Sequence, residues 1–145
     1  MPASPLLGPV VALVAWTIIM FIWMYITRLA AMKRAGISLK GRVGTRGGAL
    51  EGVIPDQVNW KAHNYNHLME QPTIFYAIVL ALVLMHFDAP INVYLAWAYV
   101  AFRIIHSLIQ ATVNVVTWRF LVFILSTLCL IGLTTHAALR LILGH

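Results

Sequence analysis

Residues 10–31 form an almost unbroken apolar run, and no other feature limits the fold as strongly. At 1.5 Å of rise per helical residue the run crosses the roughly 30 Å hydrocarbon core of a bilayer. It therefore reads as a membrane-spanning helix. The rest of the chain agrees, with 61% hydrophobic and 10% charged residues among 145, where soluble domains carry about 25% charge. The expected architecture is one domain with little of its length outside the membrane.

Charge sets the expected topology. No basic residue precedes the run, so it lacks the positive n-region of a cleavable leader. Arg28 lies near its end and Lys33, Arg34, Lys40, Arg42 and Arg46 follow it, and the positive-inside rule then puts the first loop in the cytoplasm and the N-terminus outside. The net charge of +6 is carried near helix ends rather than on a soluble basic face. It signals topology and attraction to anionic lipid, not nucleic acid. The loop, about residues 35–55, is rich in glycine and is expected to be irregular.

Three more spans follow. The second helix is expected from Asp56, a plausible N-cap after Pro55, to about residue 86, polar in its first half and apolar in its second. Phe87-Asp88-Ala89-Pro90 is a short turn without basic residues, suited to the outer side. The third helix covers about 91–113 and the fourth about 116–143. Their boundary is placed near Asn114 because the combined apolar run is too long for one crossing. With the first helix at about 8–34, the expectation is an all-α integral membrane four-helix bundle, residues 1–145, with both termini outside.

Polar residues inside these spans mark candidate sites. At about 100° per residue, Arg103, His106, Ser107, Gln110 and Asn114 fall on one stripe of the third helix. A charged side chain at membrane depth costs at least ~2.5–3.5 kcal/mol on insertion scales, so it normally faces a bundle interior or a wet cavity. His63, Asn66, His67 and Glu70, spaced i, i+3, i+4 and i+7, share a face of the second helix. Arg119 lies about one turn into the fourth. At 1.5 Å per residue His63 to Glu70, Arg103 and Arg119 share a band roughly 7–20 Å from the cytoplasmic end, so one pocket is expected to hold them.

Each group has a blander reading. The second-helix face also fits an interhelical polar network, or a metal site of His63, His67 and Glu70 with His106 as a fourth ligand. Arg103 also fits a buried ion pair with Glu70, and Arg119 a snorkelling interfacial residue. His136 and Arg140 read as interfacial, and the tryptophans as packing or belt residues. Cys129, the single cysteine, reads as packing, because a thiol in apolar surroundings is inert.

Two segments resemble the MAPEG family, the membrane-associated proteins in eicosanoid and glutathione metabolism. Lys61-Ala62-His63-Asn64-Tyr65-Asn66-His67-Leu68-Met69-Glu70-Gln71-Pro72 is similar to the family's Arg-Ala-His-x-Asn-x-x-Glu segment ending in proline. Arg103-Ile-Ile-His106-Ser107-x-x-Gln110 resembles Arg-x-x-His-Thr-x-x-Tyr, followed at the family's spacing by Arg119. Three departures stand out: Gln110 in place of tyrosine, Glu70 set nearer to Pro72, and Lys61 in place of arginine. The resemblance implies a homotrimer holding glutathione between neighbouring subunits near the cytoplasmic side. In it Arg103 and His106 contact the peptide, with Ser107, Gln110 and His63 among the binding residues. Asn66 and Glu70 take its charged ends, and Arg119 faces the thiol. A free thiol has a pKa near 8.5 and attacks as thiolate, so a fixed guanidinium beside the sulfur favours the reactive form. The implied activity is a glutathione-dependent transferase or peroxidase acting on hydrophobic electrophiles from the bilayer, in a bacterial inner membrane. The alternatives are a non-catalytic lipid-binding or scaffold protein on the same bundle and the metalloprotein above.

Overall fold

The computed structural model describes residues 2–38, 44 and 47–144; Lys40, Arg42 and Arg46 of the cationic loop lie outside the described residues. Among the described residues all regular structure is helical. It consists of α1 (Leu7–Arg34), a short 3₁₀ turn (Gly47–Leu50), α2 (Asp56–Leu68), α3 (Gln71–Leu84), α4 (Pro90–Ala111) and α5 (Val116–Leu143). Four segments are long and apolar enough to cross a membrane: α1, the α2–α3 pair over Asp56–Leu84, α4 and α5. Their outer faces show Val11, Ile18, Ile22, Leu128, Ile131 and Ile142 to the surroundings, a surface that requires lipid. The interior is built from Leu13, Met20, Phe75, Val79, Tyr99 and Leu133, with the buried Cys129 among them. At one end, Ala31 and Met32 of α1 pack with Leu50 and Ile54 in a separate small cluster. At the opposite end His136 of α5 is joined to Asn92 of α4, Nδ1 to Oδ1, at 2.6 Å.

Lipid tails are as apolar as the helices, so close packing rather than hydrophobic exclusion joins the spans. The α4–α5 pair is the most extensively packed, and Gly132 is where it draws tight. A Cβ there would sit 3.2 Å from Leu95 Cδ1. We expect Gly132→Leu to lower stability by about 1–3 kcal/mol through overpacking. Thermal unfolding in detergent checks this, and an unchanged midpoint would show that the pair has slack.

The second span departs from the uninterrupted helix expected over 56–86. It breaks at Met69 and Glu70, and Glu70 takes φ −92°, ψ −96°. Pro72 is the cause. It has no N–H to give the Leu68 carbonyl, its ring clashes with that carbonyl in a continuous helix, and it disfavours helical geometry at Gln71. Backbone groups freed inside a membrane must find partners. Glu70 N–H turns to the His67 carbonyl at 3.2 Å, and the Arg103 guanidinium donates to that same oxygen through Nη2 at 3.4 Å.

Between α4 and α5 the chain turns at Asn114, whose φ is +51°. This left-handed conformation suits asparagine better than most residues. Its N–H donates to the Ile109 carbonyl at 2.6 Å. Asn114 was expected on the α4 stripe; it stands instead in the turn beyond the helix, because α4 ends at Ala111.

Candidate functional site

The stripe on α4 faces inward. Arg103, His106, Ser107 and Gln110 are all buried, Arg103 completely so. Their burial is not matched by hydrogen bonding. Arg103 Nε and Nη1, His106 Nδ1, Ser107 Oγ and Gln110 Oε1 have no partner, nor has either amide atom of Asn64 on α2. Buried polar atoms are nearly always satisfied. A row of unmatched ones among the described residues is therefore a departure from ordinary packing.

Around this row three elements converge. Arg103 Nη2 donates to His67 Nδ1 as well as to the His67 carbonyl, at 3.4 Å each. The His67 and His106 rings meet edge to face with centroids 4.9 Å apart. Phe123 of α5 lies against both imidazoles, at 5.5 and 6.1 Å, and the Arg103 guanidinium stands 5.9 Å from its centroid. Glu70 Oε2 is 3.9 Å from His67 Nδ1. Because that nitrogen accepts from Arg103, the contact is not an ion pair.

A cleft of about 190 Å³ opens beside these rings, lined by His67, His106, Val116, Arg119, Phe120 and Phe123. Arg119 is half-buried and donates through Nη1 to Asn114 Oδ1 at 2.6 Å. One guanidinium and two imidazoles thus share a small cleft with an aromatic and aliphatic wall. Such a cleft offers hydrogen bonds and fixed positive charge to an anion, and apolar surface to whatever the anion attacks.

The remaining residues of interest do not all join it. His63 and Asn66 face a second cleft of about 470 Å³ between α1 and α2, shared with Tyr25, Arg28, Glu51 and Asn59. There His63 Nε2 engages Glu51. Asn66 and His67 project about 100° apart on α2, so one helix serves both clefts. Among the described residues Glu70, which the sequence offered as an ion-pair partner of Arg103, pairs with no arginine. Its side chain is 71% exposed, re-aimed by the helix break. The single pocket expected for all of these residues is, within one chain, two clefts. Among the described residues no group of three or more His, Cys, Asp or Glu is placed to hold a metal ion, so His63, His67 and Glu70 do not form the three-ligand cluster that the metal reading needs.

Two residues of this region carry more than their sequence context announced. Asn64 is nearly inaccessible and wholly unpartnered; only its place in a polar half-helix pointed to it. Gln71 ties three helices at the break, accepting from the Tyr99 hydroxyl at 3.2 Å and donating to Thr127 Oγ1 at 3.1 Å. A carboxamide just before Pro72, opening an apolar helix, was the available signal. Lys61 is turned away from both clefts: its Nζ lies 4.8 Å from the Trp23 ring centroid and donates to the Ala111 carbonyl at 3.4 Å, closing the C-terminal end of α4.

Comparison with known proteins adds one match. The model of the MAPEG family aligns with residues 6–139. Neither the curated proteins nor the solved structures contain a match to the chain.

Proposed function

We propose that this chain, which belongs to the MAPEG family, is a membrane-embedded glutathione-dependent transferase or peroxidase acting on hydrophobic electrophiles. The family is known to include both activities. The observation that carries the reading is the position of Arg119 on a cleft shared with His67 and His106, with Phe120 and Phe123 as its apolar side.

Glutathione supplies the thiol, which is reactive as the thiolate. Arg119 holds a permanent positive charge beside the place the sulfur takes, favouring the anion over the neutral thiol. His106 and His67 border the same space with ring nitrogens. Val116 and Phe120 are more than 60% exposed on the lipid-facing side of α5, so an electrophile dissolved in the bilayer meets the cleft without crossing water.

The charge inventory fits the tripeptide. Arg103 suits a carboxylate and Glu70 the amine, which leaves Arg119 to the sulfur. The unmatched donors and acceptors of Arg103, His106, Ser107 and Gln110 suit its peptide groups, reached after local movement of α2 against α4. The volume does not fit within one chain. Sites for ligands of this size run from about 300 Å³ upward, against about 190 Å³ here. A homotrimer with sites between subunits, near the cytoplasmic side, resolves this. The second cleft of one subunit, with His63 and Asn66, then serves the site of its neighbour.

The test is turnover of a model aryl halide, and of a lipid hydroperoxide, by purified protein with millimolar glutathione, alongside the melting temperature with and without glutathione. Turnover of either substrate supports the reading. No turnover and no shift would remove it and leave the lipid-binding or scaffold reading on the same bundle.

A further inference from the structure

The most cationic part of the chain begins at Arg28, which lines the second cleft, and continues beyond it. Six of the ten Lys and Arg residues fall between positions 28 and 46, and no Asp or Glu does. α1 ends within this stretch with Lys33 and Arg34 in its last turn. Beside that turn lies a groove of about 410 Å³ between α1 and the start of α2.

The groove has two chemically distinct parts. Ile26, Ala30, Ala31 and Val58 make an apolar floor, with Pro55 at one edge and Arg34 at the rim. From Ile26 to Arg34 it follows α1 for about 12 Å, at 1.5 Å per residue. The one hydroxyl on its lining belongs to Thr27 and is spent inside α1, donating to the carbonyls of Trp23 and Met24 at 2.9 and 3.1 Å. The floor therefore offers no hydrogen bond. Arg34 is exposed, and among the described residues no carboxylate pairs with it. α2 begins at the same groove with Pro55 as its N-cap, and the exposed Asp56 in its first turn offsets the positive end of the helix dipole, so Arg34 is the positive charge that the groove lining offers.

A long apolar floor at the end of a membrane span, rimmed by an unpaired guanidinium, is complementary to one molecule that the membrane itself provides. We propose that this groove is a binding site for an anionic phospholipid, with an acyl chain along Ile26, Ala30 and Val58 and the phosphate at Arg34. A guanidinium presents a fork of donors matched to phosphate oxygens. A basic side chain near an anionic membrane surface contributes about 1 kcal/mol, which is roughly a fivefold preference over a lipid of no net charge.

Native mass spectrometry of the full chain, released from detergent with phosphatidylglycerol or phosphatidylcholine of identical acyl chains, tests the assignment. Wild type is expected to retain phosphatidylglycerol about fivefold better. Arg34→Gln is expected to bring the two lipids level, without loss of fold, since the residue is exposed in the last turn of a helix. Ala30→Phe, which fills the floor from an exposed position, is expected to reduce retention of both lipids while Arg34 remains. Glycerol phosphate, carrying the headgroup charge without chains, is expected not to compete at matched concentration. Equal retention of both lipids by wild type, or an unchanged preference in Arg34→Gln, overturns the proposal. So does effective competition by glycerol phosphate, which makes this a plain phosphate site, or dispersal of an oligomer by Ala30→Phe, which makes the groove a contact between copies of the chain.

Discussion

Arg119→Ala lowers kcat/KM for glutathione-dependent turnover by about 10²–10³-fold, the usual loss when a preorganised group facing developing charge is removed from a dry site. The pH profile is the sharper readout. With the guanidinium gone, the thiol returns toward its free pKa near 8.5, so the thiolate fraction at neutral pH falls. The variant's rate then climbs about tenfold per pH unit until roughly pH 8.5, whereas the wild-type rate levels off at lower pH. Arg119→Lys restores part of the rate, because it keeps the charge and loses the fork.

Arg119 also has a structural bond, from Nη1 to Asn114 Oδ1, and the two roles separate cleanly. Asn114→Gly removes the bond but keeps the left-handed backbone at φ +51°, which glycine adopts freely. It is expected to cost at most a few-fold in rate with the pH profile unmoved. If Asn114→Gly matches Arg119→Ala, the arginine acts by holding the α4–α5 turn, and its assignment to the thiolate is wrong.

The parts of this molecule visible in the sequence are those that a single helix decides for itself. Length and polarity mark four spans, because a helix is the element that satisfies its backbone across a bilayer within one segment. The period of 3.6 residues puts Arg103, His106, Ser107 and Gln110 on one stripe, and the stripe is buried. What was not visible depends on how helices meet. Pro72 stood in plain view, but whether a proline kinks a span or ends it is decided by partners for the freed carbonyls. Here those partners are Glu70 N–H and Arg103. The break then turns Glu70 outward, which no periodicity through residues 63–70 foretells. In the same way, the division of His63 and Asn66 from His67 follows from α2 lying between α1 on one side and α4 on the other.

Arg103→Met leaves the melting temperature of the ligand-free protein unchanged or higher, and abolishes its rise with glutathione. Two opposed effects give the sign. The guanidinium donates to the His67 carbonyl and Nδ1 at 3.4 Å each, long contacts worth about 1 kcal/mol net apiece at most. Against them stands the burial of a full charge with no carboxylate partner and with Nε and Nη1 unmatched, a penalty of several kcal/mol even after relaxation. The penalty wins, so an apolar side chain of similar length costs the empty protein nothing. On the proposed function, an anionic ligand is what satisfies this charge in the wild type. At about a hundred times its Kd, a ligand that binds only the folded state adds ~2.7 kcal/mol. At roughly 2–4 °C per kcal/mol for a chain of this size, the wild-type melting temperature then rises by about 5–11 °C. Arg103→Met should show none of that rise. A ligand-free Arg103→Met that melts well below wild type instead assigns the guanidinium to clasping the α2–α3 break, and takes it out of the binding site.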